Sequence, residues 1–414
     1  MLRIVDLDQA QSFVTRKAVR LTEAEATVAP ILEAVRTRGD AALVEYARKF
    51  DGLEGSDIRV PPADFAAAES HVSAEFRRAL ETAAANIREY AEMQVPRESC
   101  ITFADGRRLG HIVRPLDSMG AYIPAGRYPL PSTLLMTAIP AQVAGVATIA
   151  ITSPRPSAEI LATAQFLGLS AVYRIGGAQA IAALAFGTET VPKVDRIVGP
   201  GNIYVAAAKK LLAGTVGIDF VAGPTEIVII AEDADARHIA ADMLAQAEHD
   251  ADASAILLTT SKSLAERVAA EVARQLESLP TAPVAREAIC NNSAVILCPS
   301  MDDAVEASNR LAPEHLAIYD ESLLPKIRHA GSIFIGPTSP EAAGDYASGP
   351  NHVLPTSGAA RIRAGLSAAD FVKVISIQEL TADGLRKLAP AITTLARAEG
   401  LEAHARSVEV RFAR

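Results

Sequence analysis

Tryptophan is missing from the 414 residues altogether, aromatic side chains make up only 5%, and there are three cysteines, Cys100, Cys290 and Cys298. Three thiols without a C-x-x-C pair exclude a disulfide ladder and a thiolate metal centre, and they suit a reducing compartment. No stretch offers the ~18 consecutive apolar residues needed to cross a bilayer. The opening "MLRIVDLDQAQ" sets Asp6 and Asp8 where a secretory signal would carry its apolar core. A cytoplasmic protein with no membrane partner is expected. Positive charge is also scarce: 40 Lys and Arg stand against 49 Asp and Glu, a net charge of -9, which leaves no electrostatic footprint for nucleic acid. What remains is a globular composition, half apolar, in a chain long enough for two or three packed units.

The first hundred residues repeat apolar positions at intervals of three and four, as in "TEAEATVAPILEAVRTRGDAALVEYARKF", so a helical N-terminal region over 1–111 is expected, packed on the second of the two α/β domains that follow. From about residue 112 short β-rich runs alternate with Ala-rich helical stretches: "ATIAITSP", "AEILATAQFLGL", "AVYRI", "AQAIAALAFG", "DRIVGPG", "IYVAAAKKLLAG". That alternation marks βαβ units and a parallel sheet. A second series runs from "EIVIIAE" to "GSIFIG", its strands continuous apolar runs as expected when helices cover both faces. The fold class is therefore α/β, with two tandem Rossmann-like parallel-sheet domains over 112–225 and 226–366. A Gly/Pro/Ser-rich stretch, "PTSPEAAGDYASGPNHVLPTSG", precedes a largely helical C-terminal segment, 367–414. A loop of that length is usually functional.

Four fragments carry side chains suited to chemistry. In "MLAQAEHDADA", Gln246 and His249 are three apart and lie on nearly one line of a helix face. In "RLAPEHLAIY", Pro313 should end the preceding helix, leaving Glu314 and His315 in a turn before a strand. Both could face one cleft at a strand's carboxyl end, where open α/β sheets bind ligands. "GDYASGPNH" supplies Asp345 and His352, and "RAEGLEAHARSVEVR" supplies Glu399 and His404 around a break at Gly400. Singly, each has an ordinary account: a hydrated helix end, a capping Glu beside a half-buried His, a solvated loop, a charged surface helix. Together they offer amide, carboxylate and imidazole ligands without sulfur, a set suited to a borderline divalent cation such as zinc. Two glycine turns, "RIGGAQA" and "IVGPGNIYVAAAKK", each end a strand and open a helix, so their N–H groups could face a phosphate. Neither is a G-x-G-x-x-G fingerprint, and tight turns need glycine anyway.

These fragments, with "GAYIPAG", "RIGGAQAIAALAFGTET", "GIDFVAGPTE", "APEHL" and "GDYASGPNHVLPT" in order from about residue 20 to 411, resemble the histidinol dehydrogenase family. The resemblance implies oxidation of L-histidinol through L-histidinal to L-histidine by NAD. It implies one zinc per subunit, held by Gln246, His249, Asp345 and His404. Glu314 and His315 would be the acid/base pair, and Tyr122, Gln179 and Asn202 the NAD contacts. Thr225, His352 and Glu399 would touch substrate together with Gln246, His249, His315, Asp345 and His404. The family's homodimer, in which the C-terminal segment of one subunit completes the site of the other, would explain why Glu399 and His404 lie so far along the chain. His315 is expected to take the hydroxyl proton at an ordinary pKa of ~6.5, and Glu314 to activate the water that attacks the aldehyde. Two positions depart from the family pattern: Ala125 stands for a second glycine, and Thr225 for a common Ser whose hydroxyl it keeps. The resemblance also leaves as the alternative a related zinc- and NAD-dependent alcohol-to-acid dehydrogenase acting on another polar substrate such as sulfopropanediol, since some relatives share the residue set.

Overall fold

The computed structural model describes residues 2–8, 18–125, 128–221 and 223–413. Positions 126 and 127 of the "PAGRYPLPST" loop, and position 222 of "GIDFVAGPTE", lie outside the described residues. The chain divides into two units: Met1–Gln94 with Leu116–Phe371, and Val95–Pro115 with Val372–Arg414.

The first unit holds two parallel sheets. One has six strands, in the edge-to-edge order Arg3–Asp6, Ala294–Leu297, Ser254–Thr259, Glu226–Ile230, His315–Ile318, Ser332–Ile335. Its apolar runs are double-faced. Ile227, Ile229, Leu257 and Val295 join one core, while Val228, Ile230, Ile256, Leu258 and Ile296 join the other, following the period of two along each strand. Helices such as Ala236–Ala247 and Lys262–Leu276 cover the first face, and Met301–Leu311 the second. The other sheet has five strands, Val172–Tyr173, Thr148–Thr152, Ser118–Tyr122, Arg196–Val198 and Gly217–Ile218. Its core is packed with alanines of the helices Gly177–Phe186 and Ile203–Leu212 together with Val28, Leu32 and Val35 of the helix Ala18–Arg38, which therefore lies on the sheet of the first α/β domain and not on that of the second as expected.

The expected α/β alternation is thus present, with two differences. Arg3–Asp6 is an edge strand of the six-stranded sheet, paired in register with Ala294–Leu297, not part of a helix. Ser99–Thr102, Arg107–Pro115 and Val372–Leu380 form a separate antiparallel sheet, which with the helices Ala382–Ala398 and Glu402–Glu409 makes the second unit. The segments 1–111 and 367–414, expected to be helical, therefore contain strands as well. Among the described residues no helix is long and apolar enough to cross a membrane.

Candidate active site

Parallel pairing of Glu226–Ile230 with His315–Ile318, His315 opposite Ile227, sets the starts of these central strands level. Thr225, Glu314 and His315 sit at those starts. The helix Met301–Leu311 ends before Pro313 as expected, and its cap Ala312 takes a left-handed conformation, φ 49°, that turns the chain sharply into the strand. The cleft is consequently at the amino edge of the six-stranded sheet. The carboxyl-edge placement expected for Glu314 and His315 is corrected by strand direction: residues that precede a strand lie at its beginning. The helix Ala236–Ala247 follows the strand Glu226–Ile230 and runs back across the sheet, which returns Gln246 to the same edge.

Glu314 is buried, its Oε2 2.5 Å from Thr225 Oγ1 and accepting from the Glu226 N–H at 2.9 Å. Gln246, fully buried, satisfies its neighbours in one orientation: Nε2 donates to the Glu341 carboxylate at 2.7 and 3.1 Å, and Oε1 accepts from Thr225 Oγ1 at 2.6 Å. Thr225 has one hydroxyl proton and cannot give it to both Gln246 and Glu314. That proton goes to one of the two, and burial raises the Glu314 pKa against the opposing charge of His315. Glu341, 1% exposed, is also pushed well above the ordinary carboxylate range, first by burial and then by the neighbouring acids Asp345, Glu314 and Asp242.

His315 has three acids about it. Its Nδ1 is 3.3 Å from the Glu226 carbonyl and 3.7 Å from Glu314, and its Nε2 is 3.6 Å from Asp345. Burial alone would depress its pKa, but the charges of Glu341, Glu314 and Asp345 outweigh burial and carry it up to about 10. The ordinary value expected for His315 is therefore not the value of this arrangement. Its Nε2 is buried without a hydrogen-bond partner, an uncommon state for a ring nitrogen. Ligand atoms of His315, Glu341 and Asp345 all lie within 4.8 Å of one another, so the group can hold a metal ion. An excess of buried acids around an unpartnered imidazole nitrogen is what a divalent cation would satisfy.

His249 lies just past the end of its helix, not on it, and its Nδ1 is 3.0 Å from the Ala245 carbonyl. A ring that donates through Nδ1 has Nε2 left as an acceptor or ligand. Burial would raise the Asp345 carboxyl, yet His315, His352 and His249 together hold it below its usual range. His352 is engaged on both sides: Nδ1 with the Asp345 carbonyl at 2.8 Å and Nε2 with Thr133 Oγ1 at 3.2 Å, and burial lowers its proton affinity. Thr133 belongs to the helix Pro131–Ala144, which leaves the carboxyl end of the strand Ser118–Tyr122. Asn351 adds a bond to the Met136 carbonyl of that helix, 2.6 Å. The acid–imidazole group thereby meets the carboxyl edge of the five-stranded sheet.

That edge carries Tyr122, Gln179 and Asn202, at the point where strand order reverses. Tyr122 is buried, its hydroxyl accepts from the Gly177 N–H at 3.1 Å, and burial pushes its pKa up to about 12. Gln179 donates to Asp51 at 3.0 Å, and the same carboxylate accepts from the Gly176 N–H at 2.9 Å. Asn202 caps the helix Ile203–Leu212 by accepting from the N–H groups of Tyr204 and Val205. Of the turn N–H groups suggested for a phosphate, those of Gly176, Gly177, Gly199, Tyr204 and Val205 are answered from within the chain. Glu399 and His404 belong to the second unit, Glu399 capping the helix Ala382–Ala398 and His404 on Glu402–Glu409, both exposed.

Two site acids escaped the sequence reading. Glu341 stands four residues before Asp345, a spacing that shares one helix face, but the surrounding "SPEAAGDYASGP" reads as loop when it contains the helix Glu341–Tyr346. Asp51 gave no signal, since its partners lie over a hundred positions away.

A family model described as histidinol dehydrogenase matches residues 14–412. A histidinol dehydrogenase of Synechococcus sp. is 48% identical over a 429-residue alignment covering 99% of both chains. That of Geobacillus kaustophilus is 48% identical over 399 residues, 94% of each. The crystal structure of histidinol dehydrogenase from Elizabethkingia anophelis superposes with a TM-score of 0.94 at 39% identity, covering 99% of this chain and 98% of that one.

Proposed function

The chain belongs to the histidinol dehydrogenase family, and from that premise we propose that it oxidises L-histidinol through L-histidinal to L-histidine, with NAD as hydride acceptor and one zinc ion per subunit. The observation that carries this reading is the buried Glu314–His315 pair beside Gln246, Glu341 and Asp345, with His315 Nε2 unpartnered.

Gln246, His249 and Asp345 would hold the ion, and His404 would join them from a second copy of the chain in a homodimer. Glu399 of that copy would meet the substrate's polar groups beside Thr225 and His352; the exposure of Glu399 and His404 on the second unit supports this sharing. When bound, the ion supplies a Lewis acid for the alcohol oxygen and positive charge beside His315, which lowers that ring's proton affinity from its raised value. NAD, contacted by Tyr122, Gln179 and Asn202, supplies the hydride acceptor. His315 takes the hydroxyl proton as the carbinol hydrogen leaves. Glu314, whose proton affinity burial raises, would act in its ionised form, drawing a proton from the water that adds to the aldehyde. The second hydride leaves the hydrated aldehyde. Holding both oxidations in one buried site keeps a reactive aldehyde from solvent. A reducing cytosol accords with three cysteines that form no C-x-x-C pair.

The test is spectrophotometric. With L-histidinol and NAD, two NADH should form per substrate consumed. Glu314→Gln should spare reduction of the first NAD more than the second and release aldehyde. His315→Asn should slow both oxidations. Full turnover to the acid in both variants would remove the acid/base assignment.

A further inference from the structure

Lys209 and Asp219 form the most deeply buried ion pair among the described residues, their side chains 2% and 0% exposed. The reaction does not use them. The Lys209 ammonium donates to Asp219 Oδ1 at 2.6 Å and to the Gly199 carbonyl at 2.6 Å. Asp219 in turn accepts the Gly199 N–H through Oδ2 at 2.8 Å and the Phe220 N–H through Oδ1 at 2.6 Å. One residue, Gly199, is therefore gripped by both of its peptide groups. It holds φ +112°, and a Cβ there would fall 2.2 Å from the Tyr122 carbonyl oxygen, so the grip presses the backbone against the end of the strand that carries Tyr122.

Gly199 begins the turn Gly199–Asn202. Pro200 contributes no N–H, a Cβ on Gly201 would fall 2.5 Å from Val205 Cγ1, and Asn202 is fastened as the helix cap. The turn is thus fastened at both ends, by the Lys209–Asp219 pair at Gly199 and by the helix cap at Asn202. Burying an ion pair is a poor way to gain stability, because apolar side chains of similar size often serve as well. Its return here is a defined backbone. We propose that Lys209 and Asp219 are positioning residues for the dinucleotide: by holding Gly199 they set the turn that presents Asn202 beside Tyr122. This rests on the reading of Tyr122 and Asn202 as NAD contacts.

The exchange Lys209→Met with Asp219→Asn removes both charges and leaves neither buried alone. In the full-length enzyme it is expected to keep a cooperative melt, to raise KM for NAD by about ten-fold, and to leave kcat and KM for L-histidinol within about two-fold. Lys209→Met alone, followed by titration with NADH, should show the same weakening of binding. Unchanged NAD affinity in a folded variant overturns the proposal, as does loss of folding in both variants, since the pair would then be structural. Tyr122→Phe and Asn202→Ala separate the two levels. If these raise KM for NAD while the pair exchange does not, only the positioning role fails; if they too leave it unchanged, the nucleotide reading fails with it.

Discussion

Asp242 shows what burial does to a single acid beside this site. It lies one helical turn before Gln246, and desolvation lifts its pKa to about 6, opposed only by the charge of His238. The folded protein thus holds the proton more tightly than the unfolded chain, whose Asp titrates near ~3.9. Stability therefore falls as pH rises between those values, and the cost is fully present above about 6. Asp242→Asn removes the ionised form. The variant should be more stable by roughly 1–2 kcal/mol at about pH 8, after discounting for partial exposure, and the gain should vanish near about pH 3.5. Urea unfolding at the two pH values checks this; an equal gain at both would mean that packing, not charge, is responsible.

Elements explain where the reading of residues succeeded and where it stopped. Pro313 was enough to end the helix before Glu314, because its ring restricts the preceding backbone whatever the context. The edge of the sheet at which Glu314 lies depended on strand direction, which follows from chain order alone. The antiparallel strand Val372–Leu380 could have been read from "VKVISI", whose period of two stands against the helical periodicity of its neighbours. Arg3–Asp6 has only four residues and a largely exposed pattern, so it becomes a strand through its partner Ala294–Leu297 and not through its own sequence. The helix that delivers Glu314 and His315 is set at its other end by Ser300, which accepts from the Asp303 N–H at 3.1 Å and donates to that residue's carboxylate at 2.6 Å. Ser300→Ala should cost about 1 kcal/mol. Its melting temperature should drop by a degree or two with kcat unchanged; a fall in kcat without a fall in melting temperature would show that the cap reaches the site.

At the scale of the molecule, the candidate metal group draws on segments that the chain brings together only by folding. Gln246 ends a helix that runs back across the sheet, His249 lies just past that helix, and Asp345 shares a short helix with Glu341 about a hundred residues further on, beside His315 at the start of a central strand. Such convergence could not be read from spacing, and the sequence offered the residue types without showing that they meet. It also has a thermodynamic consequence. An ion that binds the folded site and not the dispersed chain stabilises by RT ln(1 + [L]/Kd), about 2.7 kcal/mol at a free concentration of 100 Kd. Relief of repulsion among Glu314, Glu341 and Asp345 acts in the same direction. Exhaustive chelation should lower the melting temperature by a few degrees and abolish NADH formation, and added zinc should restore both. Asp345→Asn should melt at the same temperature with and without added zinc, because the charge that draws the ion is gone. If chelated and zinc-loaded protein of the unsubstituted sequence melt together and turn over alike, the buried acids serve the fold alone and the proposed metal centre is absent.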